Sequence, residues 1–290
     1  MDQNKSKSAV QWIEGAVGTF ALAYGLHYFA YFLRARYYTW LDGLGLEEAL
    51  SHILQYLGHL VFLAVLVLYV LAVKKDRKYL TVLFRDKPSR NLKFALLGGL
   101  VGAAMMGICV LAASLNGNLS IQPGAGFSIP LLLLAVVAVL IQSSVEELES
   151  RSFVFGRMKD HGVPVAPAVV ISAIFFSYLH AANPGFGWLP LLSIFVVGVL
   201  YALSYHYFGN LWFVCTAHMM WNFSEDFIFG LPDSGKPAAV SFFNTVTNGS
   251  GFFYDETFGI EGSWMAILVN AAACMIVFLI GRHMQKKQKG

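Results

Sequence analysis

The sequence predicts an all-α, polytopic membrane protein with about eight transmembrane helices and a polar cavity within the membrane. Three observations carry that expectation. Of the 290 residues, 57% are apolar and 13% charged, where a soluble domain carries about 25% charged residues. Mean hydropathy is +0.60. The apolar residues also gather in runs long enough, at roughly 20 residues, to cross a hydrocarbon layer about 30 Å thick.

In chain order these runs cover 10–33, 52–73, 92–115, 129–157, 164–180, 189–207, 211–229 and 264–280. The first follows Lys5 and Lys7 but exceeds a signal-peptide core, contains Glu14 and lacks a small-residue cleavage site, so it is expected to stay as a membrane helix. Between the second and third lies the most basic loop, with Lys74, Lys75, Arg77, Lys78, Arg85, Lys87, Arg90 and Lys93. Positive charge of this kind marks the cytoplasmic side. Eight spans then put both termini there too, with Arg151, Arg157, Lys159 and the tail Arg282, Lys286, Lys287 and Lys289, and leave Arg34, Arg36 and Lys236 outside. The expected location is a prokaryotic plasma membrane, the partners a lipid bilayer and a membrane-associated substrate. The formal charge of +3 gives no reason to expect nucleic acid.

The connections divide the chain into an N-terminal part, 1–128, with helices one to three, and a core, 129–290, with helices four to eight. Arg34–Glu48 is read as a short outer connection, and Asn116–Ser128 as an uncharged outer turn. The longest connection, Gly230–Ser263, carries Asp233, Asp255, Glu256 and Glu261, and is read as a lid, a docking surface or a plain surface loop. Cys109, Cys215 and Cys274 lie far apart in apolar stretches, with no CxxC pair, and are expected to be packing residues.

Polar groups interrupt the apolar pattern at four places. Glu146, Glu147 and Glu149 fall within four consecutive positions of the fourth run, followed by Ser150 and Arg151. Ionisable groups at bilayer depth cost about 2.5 to 3.5 kcal/mol and are functional candidates by default. Helical spacing pairs Glu147 with Arg151, a structural ion pair at the cytoplasmic boundary, and leaves Glu146 and Glu149 without a local counter-ion. Glu146 is therefore a candidate general base. The second place is Phe176-Ser177-Tyr178-Leu179-His180 and the third is His218 with Asn222, four apart on one helix face. The fourth is Glu225-Asp226, expected near the outer interface where acids are inexpensive. His206, at a helix end, is also placed at the interface. Taken singly, His180, His218 and Asn222 are equally well explained as packing or helix-bridging residues.

Together, a carboxylate, two imidazoles and an amide on three helices supply a base, a second proton-handling group and hydrogen-bond donors, the equipment for hydrolysing an amide. Two His and a carboxylate are also a common zinc set. No HExxH occurs, so no cofactor is expected, with zinc as the chemical alternative. A non-catalytic immunity or scaffold protein is the alternative of another class, and a proton-coupled carrier a third, against which the lack of paired broken helices weighs.

The pattern Glu146-Glu147-x-x-x-Arg151, Phe176-x-x-x-His180 and His218-x-x-x-Asn222 on successive helices resembles the CAAX prenyl protease and bacteriocin-processing family of intramembrane endopeptidases, also called the abortive-infection family. The similarity runs from about Ile129 to Ile280, including Gly209-Asn210-Leu211-Trp212. It implies a membrane-embedded protease of the glutamic type, in which Glu146 and His180 activate water and His218 and Asn222 stabilise the oxyanion. Glu147 and Arg151 would then support the site. Glu149 and Ser152 depart from the family pattern, and Glu149 is expected either to compete with Glu146 for the proton or to mark a subgroup.

Overall fold

The structure, a computed structural model, describes residues 2–124 and 128–289, with the side chains of residues 2–9, 288 and 289 outside that description. All eight apolar runs fold as helix, since a backbone away from water must satisfy its own amides. α1 covers Asp2–Asp42, α2 Glu48–Leu57, α3 Leu60–Ala72, the short α4 Lys78–Thr81 and α5 Pro88–Leu115. After the strand β1, Leu119–Pro123, come α6 Ile129–Glu147, α7 Gly156–Asp160, α8 Val165–Leu179, α9 Trp188–Phe208 and α10 Leu211–Phe223. β2, Phe243–Thr247, and α11, Trp264–Lys289, complete the chain.

Six helical segments are long and apolar enough to cross a membrane: Val10–Asp42, Glu48–Ala72, Pro88–Leu115, Ile129–Asp160, Trp188–Phe208 and Trp264–Lys287. The chain is an all-helical polytopic membrane protein. The two remaining runs fold as the shorter α8, of 15 residues, and α10, of 13. Two helices wind into π segments, Leu148–Phe155 between α6 and α7 and Ser224–Ile228 after α10. Such wide turns gather at functional sites. The 32-residue run Ile129–Asp160 places Glu146 near its middle.

α5 and α10 pack almost backbone to backbone. A Cβ on Gly98 would stand 2.1 Å from the Phe213 carbonyl oxygen, and one on Gly102 would stand 2.1 Å from that of Ala217. Small residues four apart let membrane helices approach in this way. α10 is also held at its start, where Gly209 ends α9 in the left-handed region at φ 64° and Asn210 Oδ1 accepts the Trp212 amide at 3.1 Å. The three cysteines pack as expected, Cys109 and Cys215 fully and Cys274 partly buried.

The basic loop, α7 and the α9–α10 turn meet at one end of the molecule. Arg157 pairs with Asp76, the Tyr79 hydroxyl donates to Asp160 at 2.6 Å, and Arg85 and Arg90 donate to the carbonyls of Gly209 and Phe208 at 3.0 and 2.9 Å. His206, half-buried at this end of α9, packs edge-on against Phe155.

Several expectations are corrected. The second span is broken at Gly58-His59, between α2 and α3. The two long connections are not independent loops, because β1 and β2 pair antiparallel with Leu119 opposite Thr247 and Pro123 opposite Phe243. Residues 125–127 of the first connection lie outside the described residues. Glu225 and Asp226 are fully buried within the protein. Glu225 accepts the Ile260 amide at 2.7 Å, and Asp226 accepts from His52 and Tyr56 at 2.6 Å each. Buried acids persist where donors reach them.

Candidate active site

The middle of α6 is polar on one side only. Gln142, one turn before Glu146, donates to Glu146 Oε1 at 2.7 Å and accepts from Asn222 Nδ2 at 3.2 Å, so it couples α6 to α10. Glu146, His180 and Asn222 line one cavity of about 510 Å³. Arg34, Glu48 and Lys236 line it too. His180 also lines a second, much smaller cavity with His218, Tyr201 and Glu261.

Glu146 is not without a counter-ion, as the sequence suggested. His59, at the break between α2 and α3, brings Nε2 to 3.1 Å from Glu146 Oε1. Its Nδ1–H donates to the Tyr56 carbonyl at 3.0 Å. Nε2 of a neutral ring is therefore a lone pair, and its contact with the carboxylate requires one proton shared between them. Arg34 Nη1 stands 3.4 Å from the same nitrogen. Glu146 Oε2 lies 3.8 Å from His218 Nε2 and is a buried atom with no hydrogen-bond partner among the described residues.

His218 is held from behind. Its Nδ1 donates to Glu147 Oε1 at 2.9 Å, and Asn222 Nδ2 lies 3.2 Å from its Nε2. Glu147 Oε1 in turn accepts from Arg151 Nη1 at 3.1 Å, and its Oε2 lies 3.1 Å from Arg151 Nε as an ion-pair contact without a hydrogen bond. The Glu147–Arg151 pair exists, but at zero exposure and in contact with His218, so it is a buried support and not a boundary ion pair. Arg151 also donates to the Gly198 carbonyl at 3.3 Å and lies over the rings of Phe176 and Tyr201, 4.1 and 5.3 Å from their centroids. Those two rings flank His218, edge-on and stacked.

At the end of α8 His180 donates Nδ1–H to the Phe176 carbonyl at 3.0 Å, leaving Nε2 as an acceptor. No direct contact joins it to Glu146 among the described residues. Glu149 pairs elsewhere. The π segment turns it toward α1, where both oxygens lie 3.0 and 3.1 Å from His27 Nδ1.

Reading by sequence missed His59, Gln142 and His27. For His59 a signal existed: His52, Gln55, Tyr56 and His59 fall on one face of an otherwise apolar run, at helical spacing.

A second set of acids lies beside the site, where the Tyr56 hydroxyl is 2.6 Å from Asp226 and 2.7 Å from Asp233. One proton does not serve two carboxylates. Burial accordingly raises Asp233 above the usual carboxylate range, helped by Asp226 and opposed by Lys236. Burial, and then the Asp233 charge, raise Glu261 to about 7. Glu225, Asp233 and Glu261 each bring an oxygen within 4.8 Å of the others, the one such group of potential metal ligands among the described residues.

Residues 128–224 match the family model described as Type II CAAX prenyl endopeptidase Rce1-like. No curated protein matches the chain. The matched stretch runs from the residue before α6 to the first residue after α10, and contains Glu146, Glu147, Arg151, His180, His218 and Asn222. It stops well short of Ile280. Over this stretch, about a third of its length, the chain is similar to a family described as an endopeptidase.

Proposed function

We propose that the chain is an intramembrane endopeptidase of the glutamic type, in which Glu146 and His180 activate water while His218 and Asn222 bind the oxyanion. The observation that carries this reading is the asymmetry of the Glu146 carboxylate. Oε1 is engaged by Gln142 and His59, whereas Oε2 accepts no hydrogen bond from the described protein and retains a lone pair for proton transfer. Water entering the cavity gives its proton to Glu146, with His180 Nε2 orienting it. The resulting hydroxide adds to the scissile carbonyl carbon. Charge develops on the carbonyl oxygen, and the proton held by Glu146 then passes to the amide nitrogen as the C–N bond breaks.

The oxyanion role requires a rearrangement. In the resting site Asn222 Nδ2 is spent on Gln142 and on His218 Nε2. A substrate carbonyl that displaces these contacts would take donors from Asn222 and from a doubly protonated His218, whose charge Glu147 is placed to balance. Such donors act strongly because the site is preorganised and poor in water. The substrate is a membrane-associated peptide or protein, and a prenylated C-terminal tail, as in the description of the family, is one such substrate. In the bilayer, we take the basic end as cytoplasmic with both termini.

The test is Glu146→Gln. Comparative proteomics of membranes carrying the parent or variant protein should show loss of cleavage with an unchanged thermal melt. Retained cleavage would move the base to Glu149 or Glu147. A scaffold role predicts full complementation by the same variant. The competing zinc mechanism would need His59, His218 and Glu146 to close on one ion, whereas the metal-free reading needs none. Activity that survives a zinc-selective chelator supports it, and activity lost and restored by zinc overturns it.

A further inference from the structure

Arg34 is a cation of the catalytic cavity that has no anionic partner. It lines the same cavity as Glu146 and Asn222, yet among the described residues no carboxylate pairs with its guanidinium. Its position is nonetheless fixed. The Phe62, Tyr31 and Tyr38 rings surround it at 4.9, 5.2 and 5.3 Å, and Nη1 touches His59 at 3.4 Å. A guanidinium has N–H donors along three edges, and this contact uses one of them.

The carboxylates of the cavity are in the opposite condition. Glu146 is held by Gln142 and His59, Glu149 by His27, and Asp233 by Tyr56. Each of these acids is thus engaged from within the protein through at least one oxygen, while Glu48, which lines the same cavity, is exposed. Lys236, exposed on the loop that borders the same cavity, likewise makes no ion pair among the described residues. A half-buried, positioned guanidinium beside acids already engaged is complete only when an anion arrives with the ligand, and its fork geometry suits a carboxylate.

We propose that Arg34, backed by Lys236, forms a carboxylate subsite of this cavity, receiving a carboxylate of the substrate close to the bond that Glu146 attacks. Arg34 and Glu146 contact the same His59 nitrogen, so a single ring atom stands between the two groups. The identity of the ligand as a peptide substrate rests on the endopeptidase reading, whereas the binding itself does not.

The test uses full-length Glu146→Gln protein in detergent and measures binding of N-dodecanoyl-glycine and its primary amide by intrinsic fluorescence. The acid should bind about tenfold or more tightly than the amide. Arg34→Gln on that parent should abolish the preference, Arg34→Lys should keep most of it, and Lys236→Gln should reduce it. N-dodecanoyl-aspartate α-amide, compared with the asparagine analogue, distinguishes a side-chain carboxylate from a chain terminus. Equal affinity for acid and amide overturns the proposal, and this comparison on the parent stands even if Arg34→Gln does not fold. A preference untouched in folded Arg34→Gln also overturns it. Acid selectivity in a chain whose Glu146 form cleaves nothing would uphold the subsite and reject the protease. Cleavage with equal binding would do the reverse.

Discussion

His59 Nε2 lies 3.1 Å from Glu146 Oε1, so the imidazole at the break of the second span touches the acid of the fourth. Because His59 also donates to the Tyr56 carbonyl, its ring is oriented before substrate arrives. His59→Ala should lower kcat by about 100-fold, the scale of one proton-handling group, with a smaller change in KM. In the Glu146→Gln background the same change should cost nothing further. A purely structural histidine would give equal losses in both backgrounds, with a lowered thermal melt.

His218→Ala and Asn222→Ala should each lower kcat by about 10² to 10³ while leaving KM near that of the parent, if they serve the oxyanion. Steady-state kinetics on one fluorogenic peptide measures both constants. A rise in KM alone would assign them to ground-state binding instead.

Arg151 is fully buried and holds Glu147, the Gly198 carbonyl and the rings beside His218. Arg151→Met leaves Glu147 as a buried charge without its cation and should cost about 3 to 5 kcal/mol. Adding Glu147→Gln should recover part of that. The thermal melt in detergent, compared across the single and double variants, checks it.

The raised Glu261 carboxyl makes the 230–263 connection sensitive to pH. Since Glu261 titrates at about 7 in the folded protein and at 4.5 ordinarily, the folded chain holds its proton more tightly than the unfolded chain does. The stabilisation is therefore whole below about pH 4.5 and is lost as pH rises through 7. Limited proteolysis of 230–263 should accelerate between about pH 6 and 8. Glu261→Gln should flatten the profile.

Much of this architecture was legible in the residues. The apolar runs all fell on helix, because span length and backbone satisfaction are local requirements. The pairs Glu147–Arg151 and His218–Asn222 could be read from a spacing of four. What could not be read is how residues distant in the chain meet. The pairing of Glu149 with His27 depends on a π segment that no period-3.6 pattern predicts. The donors of Glu225 and Asp226, the Ile260 amide, His52 and Tyr56, likewise come from remote segments. His59 was overlooked inside a run judged by its average hydropathy, where three polar neighbours on one face were diluted by the apolar residues around them.

The eight-residue π segment Leu148–Phe155 sits between the acids of α6 and the anchor of α7 on Asp76. Losing one residue there would restore ordinary winding and swing the remainder of the helix by about 100°. The Glu147–Arg151 clasp and the Arg157 anchor would then no longer both form. The residue count of this stretch is thus fixed more tightly than its composition, and chains descended from a common ancestor should exchange side chains here long before they gain or lose a position.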